Sequence, residues 1–560
     1  MGGLEVTVLL GLLILAAAVL SPRVRVAPPL LLVIFGLALG FVPALGRVHL
    51  PPEAVLLIFL PVLLFWESLT TSLRSIRRDF RGIAIMSTLL VVATAFGVAG
   101  IATALGMPFS AALVLGAAVA PPDATAAAAL GRTLPHRQFT LLKAESLTND
   151  GTALVVYAIA VGLASGQHYS ALHVTGLVLL SYLGGIACGL LIAGAAFALM
   201  SRLRDPGVIN ICLLVAPFTA YLVAELIGAS GVLAVVVAGL LIAYVSGRIS
   251  NAASRRHTES VWPLGSHLLN GALFALIGLE SHAAVRNLAG DEGLRLLGMV
   301  VAVWIALIVI RFVFPQLTVL VIRLLDRRPS QRARRTSYRA RVVGAVAGFR
   351  GAVSLAIALS VPTTLADGTH FPARDDIVVV TAGVILLTLL VQGPVLPVIV
   401  RWARLDEDDT AEEELRLAEQ EITATAVAAL PDLAAEHAIS PEVRERLTRD
   451  YEEHLALVRA RRNSAAPPPD PRVDELEAML HGEGTTTQGG RQARPVQLAE
   501  YDPLARDEEY TRLRLAMLDR KREALLRLRR AGTIDDAVVW RIQTRIDLEE
   551  LRLTGIEPFA

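Results

Sequence analysis

From residue 3 to about residue 400 the sequence is a succession of apolar runs separated by short polar loops. Each run is roughly 20 residues long, the length a helix needs to cross the hydrocarbon core of a bilayer. We read 13 candidate spans, at roughly 3–21, 26–46, 52–72, 83–105, 109–130, 141–164, 174–201, 208–228, 230–247, 261–280, 294–322, 343–362 and 376–400. A mean hydropathy of +0.56 fits an all-α polytopic membrane protein. Met1 to Ser21 is apolar but has no basic start, so we read it as a first span and not a cleaved signal.

The formal net charge of +1 hides two regimes. Residues 1–400 hold 28 bases and 17 acids; residues 401–560 hold 24 bases and 34 acids. We therefore expect a membrane domain over 1–403 and a cytosolic, mostly helical tail over 404–560. The tail is interrupted by a flexible stretch near 464–497, marked by AAPPPDP and HGEGTTTQGG. Helical spacing predicts a hairpin of two helices, about 501–530 and 533–553, turning at Ala531-Gly532. If the loops alternate, 21 Arg fall on one side of the membrane and four on the other. The bias sets the N-terminus outside and the tail in the cytoplasm, where the acidic tail is expected to contact the Arg-rich loops or a regulator.

Several classes are disfavoured. Two cysteines, Cys188 and Cys212, cannot build a disulfide framework. There is no G-x-x-x-x-G-K-[ST], no G-x-G-x-x-G in the tail and no Cys/His cluster. No Ser/His/Asp arrangement suggests an enzyme, and neither a cofactor nor a nucleic-acid partner is expected.

Spans 1–6 and 8–13 are two sets of six, shifted by seven. An odd shift reverses direction, so the halves read as inverted repeats, an architecture of secondary transporters. Span 5 is interrupted by Pro121-Pro122 and its counterpart, span 12, by Gly344, Gly348 and Gly351. Proline removes a backbone donor and disfavours helix at the residue before it. Broken helices at membrane depth line cavities and bind ions.

Ionisable residues inside spans are costly unless paired or hydrated. The sequence places Glu67 in span 3, Asp123 after the double proline, and Lys143, Glu145 and Asp150 in span 6. Glu225, Glu280, Arg311 and Arg350 follow in spans 8, 10, 11 and 12. In span 6, Glu145 and Asn149 form one helical column, with Ser146 and Asp150 in the next. Asp150 and Ser146 supply hard oxygens suited to an alkali cation such as Na+, and Asn149 can both donate and accept. Asp123 has two open roles, ligating the cation or bonding Asn149 and the freed backbone. Arg350 needs a buried acid; Glu145 and Glu67 are candidates, with a Glu145–Arg350 ion pair expected. Glu67 is a candidate water-linked ligand. Lys143 and Glu280, near span ends, are expected to snorkel.

Three segments carry a family resemblance: AVAPPDATAAAAL, AESLTNDGTALVVY and GFRGAVSLAIALSVP. In order and spacing they resemble the monovalent cation:proton antiporter-1 family, which includes NhaP-type bacterial antiporters and animal Na+/H+ exchangers. The resemblance covers about residues 1–400. It implies Asp150 as the ion- and proton-binding carboxylate, Ser146 as a ligand, Asp123 and Asn149 as organisers of the site, and Glu145 with Arg350 as a buried pair. It implies an acid near the ion at Glu67, a homodimer in the bacterial cell membrane, and elevator-like alternating access. The sequence departs from the family at Pro122-Asp123-Ala124, where many members have Thr-Asp-Pro, at Ala144 in place of Gly, and at Thr148 in place of an apolar residue.

Together these readings predict an antiporter exchanging Na+, or alternatively K+ or Li+, for H+. One titrating aspartate beside a neutral asparagine implies one proton per cation, hence electroneutral exchange. A cation channel is the rival mechanism; a scaffold that no longer transports would have no use for costly buried charges.

Overall fold

The computed structural model describes residues 3–24, 26–41, 55–129, 134–167, 169–203, 205–249, 252–286, 291–325, 337–365, 368–405, 410–463 and 503–554. The flexible stretch expected near 464–497 lies outside them. The chain divides into two compact units, Met1–Asp408 and Asp409–Ala560.

Among the described residues the first unit is mostly helical, with an isolated antiparallel bridge between Thr364 and His370. Its helices are α1 (Gly3–Val24), α2 (Pro28–Gly40), α3 (Leu60–Leu69), α4 (Leu73–Ala104) and α5 (Phe109–Val119). A short α6 (Ala124–Ala129) leads to the long α7 (His136–Ala164). Then come α8 (Ala171–Met200), α9 (Pro206–Leu226), α10 (Gly231–Ile249), α11 (Ala252–Arg286) and α12 (Asp291–Leu325). The short α13 (Tyr338–Val346) and α14 (Ala352–Leu359) precede α15 (Arg374–Ala403). Eight of these helices are long and apolar enough to cross a membrane, and four shorter ones are apolar. Large side chains such as Leu172, Leu183, Leu191 and Ile211 are well exposed on the outer surface, as a hydrocarbon solvent permits and water does not.

Two apolar cores flank α7. Ala153, Val156 and Ala160 pack with α4, α5, α12, α14 and α15. On the other side Ala144 and Leu147 pack with α3 and α8–α10. Helix α5 is buried from Ala111 to Val119, consistent with a sequence that is apolar on every face.

Three of the long helices carry a π-turn, at Ile85–Leu90 in α4, Leu180–Gly184 in α8 and Thr388–Gln392 in α15. Such turns loosen the regular backbone ladder. The Ser87 carbonyl in the first accepts from Thr152 Oγ1 of α7 at 2.7 Å, and the Tyr182 hydroxyl in the second meets the same Oγ1 at 2.5 Å. In the third, Thr388 Oγ1 accepts from the Arg350 amide at 3.4 Å.

The second unit holds α16 (Thr410–Glu436), α17 (Pro441–Asn463), α18 (Pro503–Ala531) and α19 (Asp536–Thr554), the last two joined at Ala531-Gly532. Leu415, Ile422, Leu518, Leu525, Ile542 and Ile546 form one core, and Leu430, Leu447, Tyr451 and Met517 another. Beside them runs a charged seam. Glu549 accepts from Arg514 at 2.5 Å and lies 3.7 Å from Lys521, whose ammonium stands 4.7 Å over the Tyr451 ring.

Candidate functional site

The site grows out of two interrupted helices that meet. Helix α5 ends at Val119 because Pro121 and Pro122 offer no amide to continue the ladder. The chain restarts at Ala124, where the Asp123 carboxylate caps the new helix. Its Oδ1 accepts from the Thr125 amide at 2.8 Å, the Thr125 hydroxyl at 2.5 Å and the Ala126 amide at 3.4 Å. The second interruption, Ala347 to Gly351, separates α13 from α14. The breaks touch through main chain, with the Asp123 amide donating to the Phe349 carbonyl at 2.9 Å.

Side chains of α7 complete the first break. Asn149 Nδ2 donates to the Pro122 carbonyl at 3.3 Å, and Ser146 Oγ accepts from the Ala124 amide at 3.3 Å. The i, i+3 spacing puts both on one side of α7, facing the two orphaned backbone groups around Asp123.

Arg350 is nearly fully buried and binds carbonyls. It donates to Val119 at 2.5 Å, Ala120 at 3.2 Å and Gly348 at 2.6 Å, so one guanidinium satisfies the ends of both interrupted helices. This corrects the expected Glu145–Arg350 pair. Arg350 lies within a break, where unpaired carbonyls surround it and use its donors. Glu145 projects instead toward α12 and is held by Arg311. The two nitrogens of that guanidinium donate to Oε1 at 2.7 Å and Oε2 at 2.9 Å, and its Nε donates to the Gly344 carbonyl at 2.9 Å. From the sequence, Arg311 is expected to pair with Glu225 or to snorkel; it meets Glu145 instead, across 166 residues, because helix packing and not local spacing brings α12 to α7.

Two glycines make room for these side chains. A Cβ on Gly351 would lie 1.5 Å from Asp123 Oδ2, and one on Gly348 would lie 2.6 Å from Arg311 Cδ. The glycines expected to break span 12 thus also let a carboxylate and a guanidinium cross the backbone.

Asp150 sits one residue beyond Asn149 and is 5 % exposed. Among the described residues its carboxylate has no hydrogen-bond or ion-pair partner. The Asn149 Oδ1 is likewise buried and unpartnered. The charges acting on Asp150 are the carboxylates of Asp123 and Glu67. Glu67 lies in the last turn of α3, and its carbonyl accepts from Thr71 Oγ1 at 2.5 Å. Lys143, expected to snorkel, is partly exposed and donates to Thr70 Oγ1 at the C-terminal end of α3 at 2.7 Å. The side chain of Glu280 lies outside the described residues.

The structure thus gathers Glu67, Asp123, Ser146, Asn149 and Asp150 around the crossing. Three acidic side chains are among them, and the Asp150 carboxylate has no hydrogen-bond or ion-pair partner among the described residues. A desolvated, uncompensated carboxylate is a strong acceptor for a proton or a small cation and is stable only with one of them.

Residues 9–402 match the family described as sodium/hydrogen exchanger, transmembrane, and the chain belongs to that family. It is 39 % identical over 554 residues to an uncharacterized Na+/H+ exchanger of Mycobacterium tuberculosis, covering 98 % of this chain and 96 % of the relative. It is 33 % identical over 380 residues to the low-affinity Na+/H+ antiporter NhaS1 of Synechocystis, covering 66 % and 69 %. The fold is similar to that of the sodium proton antiporter MjNhaP1 from Methanocaldococcus jannaschii, with a TM-score of 0.54 at 18 % identity, over 71 % of this chain and 98 % of that one.

Proposed function

We propose that Na+ and H+ compete for Asp150 and that their alternate carriage across the bacterial cell membrane is the exchange this chain performs. The observation that carries the reading is the buried, unpartnered Asp150 carboxylate at the crossing of two interrupted helices. Asp150 and Ser146 hold the cation directly. Asn149 and Asp123 fix the broken backbone around it, and Glu67 reaches it through water. Na+ and H+ are cargo, and no resident cofactor takes part. One titrating carboxylate beside a neutral amide gives one proton per cation, so exchange is electroneutral.

In this reading the eight long and four short apolar helices, with the pair α13–α14, make up the 13 crossings expected from the sequence. They form two inverted sets of six in a membrane domain over 1–403, and the domain assembles as a homodimer. The arginine bias supports an outside N-terminus and a cytoplasmic tail over 404–560.

Asp150→Asn in proteoliposomes tests the assignment. A Na+ gradient should drive proton movement in the unaltered protein and at least 100-fold less in the variant. Retained exchange would sink the role of Asp150, and single-channel currents uncoupled from protons would replace the antiporter with a channel. Substituting Li+ and K+ for Na+ in the same assay gives the selectivity.

A further inference from the structure

Lys143 stands apart from the machinery described so far, yet it shares a face with it. Residues 143, 146 and 150 follow i, i+3, i+7 spacing on α7, so Lys143 lies about 10 Å along the helix from Asp150. An ammonium within a span is costly unless it reaches polar partners. This one is half-buried and reaches the neighbouring helix end. It donates to Thr70 Oγ1 at 2.7 Å, and that hydroxyl in turn donates to the Trp66 and Glu67 carbonyls at 3.0 and 3.2 Å. The ammonium is therefore seated at the C-terminal end of α3, where the helix dipole is negative.

Thr70 follows Glu67 by three residues and bonds its carbonyl, so the docked ammonium stands at the same end of α3 as Glu67. The other nearby acid of α7, Glu145, is already tied to Arg311. On α4, which packs beside this end of α7, Arg77, Arg78 and Arg81 are exposed.

We infer that Lys143 is an affinity-setting residue: a half-buried cation docked on Thr70 that offsets the charge of Glu67 and weakens cation binding at Asp150. The inference rests on the Proposed function reading. Lys143 touches no transported ion and acts through Glu67. A fixed positive charge at the end of α7 nearest the cytoplasm opposes a second cation by Coulomb repulsion. It also speeds cation release, because the negative charges around Asp150 would otherwise hold the cargo more firmly.

The test is the Na+ dependence of exchange by the full-length protein in proteoliposomes, at a fixed alkaline pH where protons compete least. Lys143→Met should lower the half-saturating Na+ concentration by about five- to tenfold, as expected for removing one charge roughly 10 Å away. Lys143→Arg, which keeps the charge, should stay within twofold of the unaltered protein. Thr70→Val leaves α7 untouched and frees the ammonium from α3; it should lower half-saturation in the same direction by a smaller factor. An unchanged half-saturation in Lys143→Met and Thr70→Val, or a loss confined to maximal rate, overturns the inference. Failure of the antiport reading itself would look different, since the unaltered protein would then show no Na+-driven proton movement.

Discussion

Arg311 grips Glu145 through two parallel hydrogen bonds, 2.7 and 2.9 Å long, between side chains that are 7 % and 8 % exposed. The pair joins α7 to α12 one residue before Ser146, and the third donor of the guanidinium holds the Gly344 carbonyl of α13. Removing one partner strands the other charge in an apolar interior. Arg311→Met should therefore destabilise the protein by about 3–5 kcal/mol, whereas Glu145→Gln with Arg311→Met should recover much of the loss. Thermal unfolding in detergent measures both; additive losses would argue against direct coupling.

Gly351 leads to a second expectation. Alanine there puts a methyl group on Asp123 Oδ2 and displaces the carboxylate from the start of α6. Gly351→Ala should reduce exchange at least tenfold. Gly100 is exposed on α4, and a methyl group added there would meet nothing within 4 Å, so Gly100→Ala should leave activity and stability nearly unchanged. Equal effects at the two positions would show that the close approach is unimportant.

Asn149 offers a test of stoichiometry. Its amide holds the Pro122 carbonyl and its Oδ1 is unpartnered, so a carboxylate placed there would stand beside Asp150. Asn149→Asp adds a second titrating group, and exchange should become sensitive to a clamped membrane potential. Persistent electroneutrality with measurable turnover would count against counting protons by carboxylates.

The charged seam of the tail should respond to acid. Burial alone raises the Glu549 carboxyl, but Lys521 and Arg514 more than offset this and hold it below the usual carboxylate range. A carboxyl lowered on folding adds stability above its unfolded value of about 4.3, and that stability is lost as pH falls through the folded value. Amides of α18 and α19 in the full chain should thus keep their hydrogen-exchange protection near neutral pH and lose it below about pH 4. Glu549→Gln should lower protection near neutrality and flatten its dependence on acid; a pH profile matching that of the unaltered protein would remove Glu549 from the account.

Much of this site is legible along the chain because its logic is local. A missing amide at Pro121 and Pro122 ends a helix wherever it occurs, and helical spacing places Ser146, Asn149 and Asp150 together without any knowledge of the fold. The arginines are different. Both Arg311 and Arg350 are buried charges in need of partners, and nothing local tells which one finds Glu145. The answer depends on helix packing: Arg350 is surrounded by the open carbonyls of its own break and of α5, leaving the acid to α12. Lys143 is similar. Its position near a span end suggests an anchor in the headgroups, and only the closeness of α3 gives it an acceptor at Thr70.

Arg350 seats its guanidinium on carbonyls belonging to α5 and to the segment after α13, while the Phe349 carbonyl takes the Asp123 amide. The two interruptions are therefore poor hinges. Opening one would strip hydrogen bonds from the other, and a strained pair would have to reseal a buried cation without water. The crossing is better described as a rivet, one guanidinium pinning the ends of both interrupted helices together.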